Sequence, residues 1–373
     1  MEKRAILQVC HSYDPPYLDV ARQYCALFPR DVWHITTVFL TGAADTQIAD
    51  QIGSDEVVFL QHSSRALRGL KLRQIGEIRT ICRGKNFVFA IAHRFKALYI
   101  CTQVPNLFTF GVHHRPGGYR RWTRRFFVRA MKKSLAIVGV SDFVRDDMRR
   151  SLPNFEPERV FTIYNHIEPA TIRAELIPRD DARSRLGLPL DSYLFGTVGR
   201  LHPDKDQATL IAAFARVADQ MPDARLVIIG KGRLEQNLKA LASKLAVSEQ
   251  VMFLGPIDNA RRYFLALDSF VLSSDHEPFG MVLLEAMAAR LPIATTACGG
   301  AGEVVGETGF SFALGDTAML ANIFLRLKNL AAEELTVLQA RMENRLQELF
   351  TDTAVRQNFW RSPMVETVMA DRE

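Results

Sequence analysis

The sequence predicts an α/β protein built from two doubly wound parallel-sheet domains in tandem. Three observations carry this. At 373 residues the chain exceeds one ordinary domain and suits two of about 150–200 residues each. Short β-rich runs alternate with longer stretches of helical spacing, the signature of βαβ units whose sheet is covered on both faces. The alternation pauses once, at residues 167–190, where Pro169, Pro178 and Pro189 bracket a mixed-charge stretch.

In the first half, strands are expected at residues 5–10, 32–40, 57–60, 87–91, 107–112, 135–140 and 160–164. Apolar spacing near 3.6 falls between most of them, as at 17–28 and 121–132. The proline-rich stretch 167–190 reads as a linker or irregular connection, because proline removes a donor and fixes φ. A second series follows, with strands at 193–199, 225–230, 250–254, 269–272 and 292–295 and helices at 207–220, 234–246, 259–266 and 281–290. The tail, 317–373, reads as wholly helical. The domain bounds expected are 1–170 and 190–350, with a final helix at about 353–373 packing back on the first domain. Two such domains enclose a cleft, and ligands of doubly wound sheets bind outside the carboxyl ends of the strands. The loops that follow the strands are therefore the places to look for chemistry.

Composition excludes several classes. With 48% apolar and 24% charged residues the chain is a soluble globular type. No apolar run approaches the roughly 18–20 residues of a membrane span, and the N-terminus lacks a secretory pattern. Five scattered cysteines, Cys10, Cys25, Cys82, Cys101 and Cys298, form no C-x-x-C pair, which argues against a disulfide framework or a zinc site and fits a reducing cytoplasm. The charge is lopsided. Residues 65–150 hold 20 Lys/Arg against 4 Asp/Glu, whereas the other 287 residues hold 27 against 37. Such asymmetry points to an anionic partner, the alternative being a solvated basic face.

Three loops carry the candidate chemistry. Gly199-Arg200-Leu201-His202-Pro203-Asp204-Lys205 joins a strand to a helix and offers a guanidinium fork and an ammonium five residues apart, suited to clamping a diphosphate. Gly230-Lys231-Gly232 is a short glycine turn after a strand, which lets backbone approach a ligand. It lacks the third glycine of a dinucleotide fingerprint, since Glu235 stands there. The third loop, 273–287, places Glu277 before a helix start at Phe279, Gly280, Met281 and Val282, and Glu285 two turns on. A loop acid suits sugar hydroxyls and helix-start amides suit phosphate oxygens. If fully helical, Glu277 and Glu285 would lie about 12 Å apart, beyond the roughly 5–9.5 Å of a glycosidase pair, so they read as two binding contacts.

Together these loops resemble the donor domain of a GT-B retaining glycosyltransferase of family 4, the glycosyl transferases group 1. The family pattern V-G-R-L-x-x-x-K-G, G-x-G, F-x-G, E-G-F-G-L-x-x-x-E-A-M-A and G-G-x-x-E is met by VGRLHPDKD, IGKG, FLG, EPFGMVLLEAMA and GGAGE, over residues 193–309, a third of the chain. Gly139-Val140-Ser141 and Ile163-Tyr164-Asn165 are weaker echoes in the first half. The resemblance implies two Rossmann-like domains, an N-terminal one for the acceptor and a C-terminal one for the donor. It implies that Arg200 and Lys205 neutralise the nucleotide diphosphate and that Glu277 holds donor sugar hydroxyls. Phe279, Gly280 and Met281 would present amides, and Glu285 would bind the ribose. His113 matches a histidine near the reacting end of the donor sugar, and His93 another cleft histidine. On this resemblance the catalytic set is Glu277, His113, Arg200 and Lys205; the donor-binding set adds Gly199, Gly230, Phe279, Gly280, Met281, Val282 and Glu285.

The family places a glycine pair in its first loop, where this chain has His11-Ser12-Tyr13-Asp14-Pro15-Pro16; Asp206 and Pro278 likewise replace usual glycines. The implied donor is a nucleotide sugar with uridine as the default base, and no metal or other cofactor is expected. The implied acceptor is an anionic or phosphorylated glycan or lipid-linked glycan, as in enzymes of bacterial lipopolysaccharide core assembly. The run RPGGYRRWTRRFFVR (115–129) suits a peripheral helix on the inner face of an anionic membrane, and no nucleic acid is expected. An epimerase or a phosphorylase on the same fold, or a basic nucleic-acid binder, are the alternatives.

Overall fold

A computed structural model describes residues 3–15 and 17–372; Pro16 of the first loop lies outside the described residues. The chain divides into two units, one comprising the residues up to His166 and those from Asp352 on, the other Ile167–Thr351.

The first unit holds seven strands, β1 (Arg4–Cys10), β2 (Trp33–Phe39), β3 (Glu56–Phe59), β4 (Phe87–His93), β5 (Thr109–His113), β6 (Leu135–Gly139) and β7 (Val160–Thr162). They form one sheet in the order β3-β2-β1-β4-β5-β6-β7, every neighbouring pair parallel. The central strands β1, β4 and β5 are nearly continuous apolar runs because helices cover both faces. The chain leaves β1 toward β2 and returns to β4 on the other side, so the β1/β4 boundary is a topological switch point.

The last two helices, Asp352–Trp360 and Pro363–Ala370, belong to this unit. Phe359 is buried against Phe28, Phe89 and Phe110. Trp360 stacks on Trp33 with ring centroids 5.3 Å apart, and its Nε1 donates to the Leu27 carbonyl at 2.9 Å.

The second unit holds β8 (Tyr193–Val198), β9 (Ala224–Ile229), β10 (Val251–Gly255), β11 (Ser269–Leu272), β12 (Ile293–Thr296) and β13 (Phe310–Phe312). The order β10-β9-β8-β11-β12-β13, again all parallel, puts its switch point between β8 and β11. β13 has three residues and no alternation, and the sequence reading lacks it. Ile167 bridges Thr351, and its amide donates to Phe350 O at 2.9 Å, so the two ends of this unit lie side by side.

The stretch read as an irregular linker is instead two helices, Pro169–Glu175 and Arg179–Leu186. Pro169 sits at the first helical position, where its missing N–H is not needed, and Gly187 closes the second helix in the left-handed region. Arg183, fully buried, fixes that helix by donating to the carbonyls of Ala266, Leu190 and Ser192 at 2.7–2.8 Å and to Asp268 at 2.7 Å. Ala260–Ala266, read as an α-helix, is a 3-10 helix entered through Asn259 at φ +50°. The helical tail is broken into four pieces, Thr317–Lys328 and Ala332–Leu349 preceding the two helices of the first unit. Among the described residues no helix is long and apolar enough to cross a membrane.

Candidate active site

In the second unit the loops after β8, β9, β11 and β12 converge at the carboxyl edge of the sheet, around its switch point. Backbone joins them first. Gly199 N donates to Ile229 O at 2.9 Å, Leu201 N to Lys231 O at 3.0 Å, and Leu234 N to Leu201 O at 3.2 Å. This zipper explains the glycine turn. Gly230 has φ +139°, and a Cβ there would sit 1.9 Å from Gly199 O; one at Gly232 would sit 2.2 Å from Leu201 O. Both glycines are demanded by the neighbouring loop.

The β8 loop is tied to the β11 loop in the same way. Asp275 N donates to Asp204 O at 3.0 Å and the Ser273 hydroxyl to Lys205 O at 2.9 Å. A second glycine pair braces the β11 loop from behind. Gly300 N donates to Glu277 O at 2.7 Å, Thr296 Oγ1 donates to Ser274 O at 2.5 Å, and a Cβ on Gly299 would lie 2.3 Å from Glu277 O.

This scaffold brings Lys205 and Glu277 together. Their side chains, 17% and 12% exposed, form an ion pair, and the Ser274 hydroxyl donates to the same carboxylate at 3.4 Å. Arg200 points outward, 69% exposed, held by Asp204 at 3.1 Å. Asp204 also takes His202 Nδ1 at 2.5 Å; burial alone would raise its carboxyl, but His202, Arg200 and Lys205 hold it below the usual range. Gly280, at φ +98°, caps the helix Met281–Ala288, so the first turn is Met281 and Val282 rather than Phe279. Phe279 is buried with its ring against Phe350. Glu285 stands in the middle of that helix, half-buried.

His93 and His113 lie in the first unit, where they end β4 and β5. His113 is buried. Its Nε2 shares a hydrogen bond with the Tyr119 hydroxyl at 2.8 Å, and Gly118 leaves room beside its Nδ1, where a Cβ would come within 3.2 Å. Burial raises the Tyr119 phenol, so it stays protonated at neutral pH. His93 contacts His114 at 3.3 Å and Gln8 at 3.4 Å. Burial, with help from neighbouring cations, lowers His11 to about 4 and His113 and His114 to about 3; His93 is held well below its ordinary value by burial. All four are neutral imidazoles at pH 7. Among the described residues no three His, Cys, Asp or Glu side chains gather as metal ligands.

Residues 178–345, which contain every one of the second-unit loops above, match the family described as Glycosyl transferases group 1. The match spans 168 of the 373 residues, so it is this segment that is similar to the glycosyl transferases group 1 family.

Among curated relatives, the chain is 32% identical over 206 residues to the alpha-maltose-1-phosphate synthase of Mycolicibacterium smegmatis, covering 52% of each. It is 38% identical over 136 residues to the lipopolysaccharide core biosynthesis glycosyltransferase LpsE of Rhizobium meliloti, covering 36% of this chain and 39% of that one. The chain thus spans about half the length or less of these relatives. The two-unit fold is that of Anabaena HepE in complex with UDP and glucose, with a TM-score of 0.74 at 20% identity over 98% of this chain and 99% of that one.

Within the group 1 segment the structure gathers Gly199, Arg200, Lys205, Gly230, Glu277, Gly280, Met281 and Val282 on one loop cluster. Phe279 enters it by backbone alone, its ring being core. Sequence reasoning missed Ser273 and Ser274, whose hydroxyls had no motif to mark them. It also missed His11, His114 and Gln8 in the first unit; the adjacent pair His113-His114 was the available signal, since neighbours at a strand end point to opposite sides.

Proposed function

We propose that the protein transfers a glycosyl group from a nucleoside-diphosphate sugar, with uridine as the nucleoside, to an anionic or phosphorylated glycan carried on a lipid, as in bacterial lipopolysaccharide core or other envelope polysaccharide synthesis. Configuration is retained and no divalent ion takes part. The second unit binds the donor and the first unit the acceptor. The observation that carries this is the sheltered Lys205–Glu277 pair at the second unit's switch point, inside the group 1 segment.

The pair suits the chemistry. The bond from the anomeric carbon to the diphosphate breaks, the acceptor oxygen bonds to that carbon on the same face, and the hydroxyl proton passes to the departing phosphate. Lys205, swinging from Glu277, and Arg200 stabilise the leaving charge, helped by the positive end of the helix at Met281. Glu277 is left to accept hydrogen bonds from sugar hydroxyls. The UDP in the HepE structure and the lipopolysaccharide core role of LpsE are consistent with the donor and acceptor classes. The test is release of UDP from UDP-sugars in the presence and absence of an added lipid-linked glycan. Acceptor-dependent release supports the reading; isomerised sugar without release favours an epimerase, and release indifferent to any glycan overturns transfer.

Peripheral attachment to the inner face of an anionic membrane belongs to the same reading. Its support is that the four most exposed large apolar residues described, Leu70, Leu72, Trp122 and Phe126, occupy two tied elements of the first unit. Lys71 folds back onto Gly69 O at 2.7 Å and over the Tyr99 ring, and Tyr99 meets Phe127 at 5.0 Å. Between His114 and Ser134 there is no acidic residue.

A further inference from the structure

We infer that His114 is a hydroxyl-binding residue, its Nδ1 a bare lone pair at the end of a hydrogen-bond relay that starts at Gln8, set to receive one alcohol group of a sugar. The inference rests on the proposed sugar chemistry only for the class of ligand; the relay follows from the geometry.

Gln8 is buried at the centre of the first unit's sheet. Its Nε2 donates to Ala21 O at 3.1 Å, a carbonyl that only accepts, and this fixes which way the amide faces. Its Oε1 must then accept, so His93 Nε2, 3.4 Å away, carries the proton. A neutral imidazole protonated on Nε2 has a lone pair on Nδ1. That nitrogen faces His114 Nε2 at 3.3 Å, so His114 Nε2 is the donor of this second bond. The rings are held in place. His93 meets Tyr24 edge-on at 4.9 Å and lies within 16° of parallel to His114. The proton count leaves His114 Nδ1 bare. That atom is shielded from solvent and has no hydrogen-bond partner, and the same is true of His11 Nδ1.

Both histidines, with Ser12, His93 and Arg94, line a niche at the carboxyl edge of β1 and β4, the switch point of the first unit. Its free space is about 10 Å³, the room of a single water-sized group. A buried acceptor without a donor is unfavourable, and an arriving donor relieves that cost. The chemistry selects the group. A sulfate or carboxylate oxygen has no proton to give at neutral pH and is repelled by the lone pair. An alcohol gives its proton to His114 Nδ1 and still accepts from the cationic side of the niche at Arg94.

The test uses the full chain labelled with 15N-histidine and long-range 1H–15N correlation spectra, which separate protonated from bare ring nitrogens. Both His93 and His114 are expected in the Nε2–H form. Glycerol, the probe, is expected to shift the His114 Nδ1 resonance, and inorganic sulfate, which carries no proton at neutral pH, to leave it in place at equal concentration. His114→Gln keeps a donor toward His93 but has nothing at the Nδ1 position; glycerol affinity falls about tenfold, the share of one hydrogen bond. His114→Asn, whose Oδ1 lies near that position, recovers part of it. A His114 carrying its proton on Nδ1 overturns the relay. A bare Nδ1 indifferent to glycerol overturns the ligand assignment and leaves a trapped water only. Thermal shift with UDP is run alongside: a UDP response with an unmoved His114 removes this inference alone, whereas no UDP response removes the proposed donor site alone.

Discussion

Lys205 and Glu277 neutralise each other, so on the proposed function an incoming diphosphate would compete with a carboxylate for the same ammonium. The two halves of the pair therefore respond with opposite signs. Lys205→Ala leaves Glu277 facing the diphosphate alone and is expected to weaken UDP binding by at least tenfold in calorimetry, in line with breaking a sheltered charge pair. Glu277→Gln releases Lys205 and is expected to leave UDP affinity equal or better, while the rate of sugar transfer collapses. Equal weakening of UDP by both changes would contradict the assignment of the two roles. At Gly230 the effect is on folding: alanine meets Gly199 O at 1.9 Å in a left-handed backbone, so Gly230→Ala is expected to lower thermal stability by more than the ~1–3 kcal/mol of backbone strain alone. These loops were legible in the sequence because their residue types cluster within a few positions. What was not legible is why the glycines are there, since the atom each one avoids lies between about twenty and thirty residues away in the chain, as Glu277 does from Gly299 and Gly199 from Gly230.

Among the elements, the strands were readable because buried parallel strands are apolar on both faces and short. The errors have local causes. Pro169 and Pro178 looked like breaks, yet a proline at a first turn or just before one starts a helix as well as it ends another. β13 is too short to show a period. The final helices were visible as helices, but their docking was not, because Phe359 reaches partners on β4 and β5 that no local window contains. Phe359→Ala is accordingly expected to destabilise the first unit by about 3–5 kcal/mol, as a buried aromatic truncation does, with the melting of the second unit unchanged in a two-transition calorimetric scan. The helix Trp122–Ala130 gives a second check. Replacing Trp122 and Phe126 by serine, or Leu70 and Leu72 by serine, is expected to reduce sedimentation with phosphatidylglycerol vesicles severalfold while UDP binding persists; vesicle binding that ignores both pairs contradicts a lipid-facing role.

For the molecule as a whole, the neutral histidines set a pH limit. His11, His113 and His114 titrate near 3–4 when folded, through burial, and near 6.5 when unfolded. As pH falls below about 6.5 the unfolded chain takes up protons that the folded chain refuses, so their contribution is complete above 6.5 and is lost progressively toward pH 4. The melting temperature of the first unit is expected to decline over that window, and His113→Asn to flatten the decline; an unchanged profile in the variant would count against a neutral buried His113. None of this was legible from composition, which records nine histidines but not their solvent.

The crossing of the chain between its units has a consequence for biogenesis. The second unit begins and ends on adjacent residues, Ile167 and Thr351, and is complete once they emerge from the ribosome. The first unit, although its strands are made earlier, waits until the second unit has been made for Phe359 and Trp360 to close over Phe28, Trp33 and Phe89. The unit begun first is finished after the other, and its greasy floor stays uncovered in the nascent chain while the whole second unit is made.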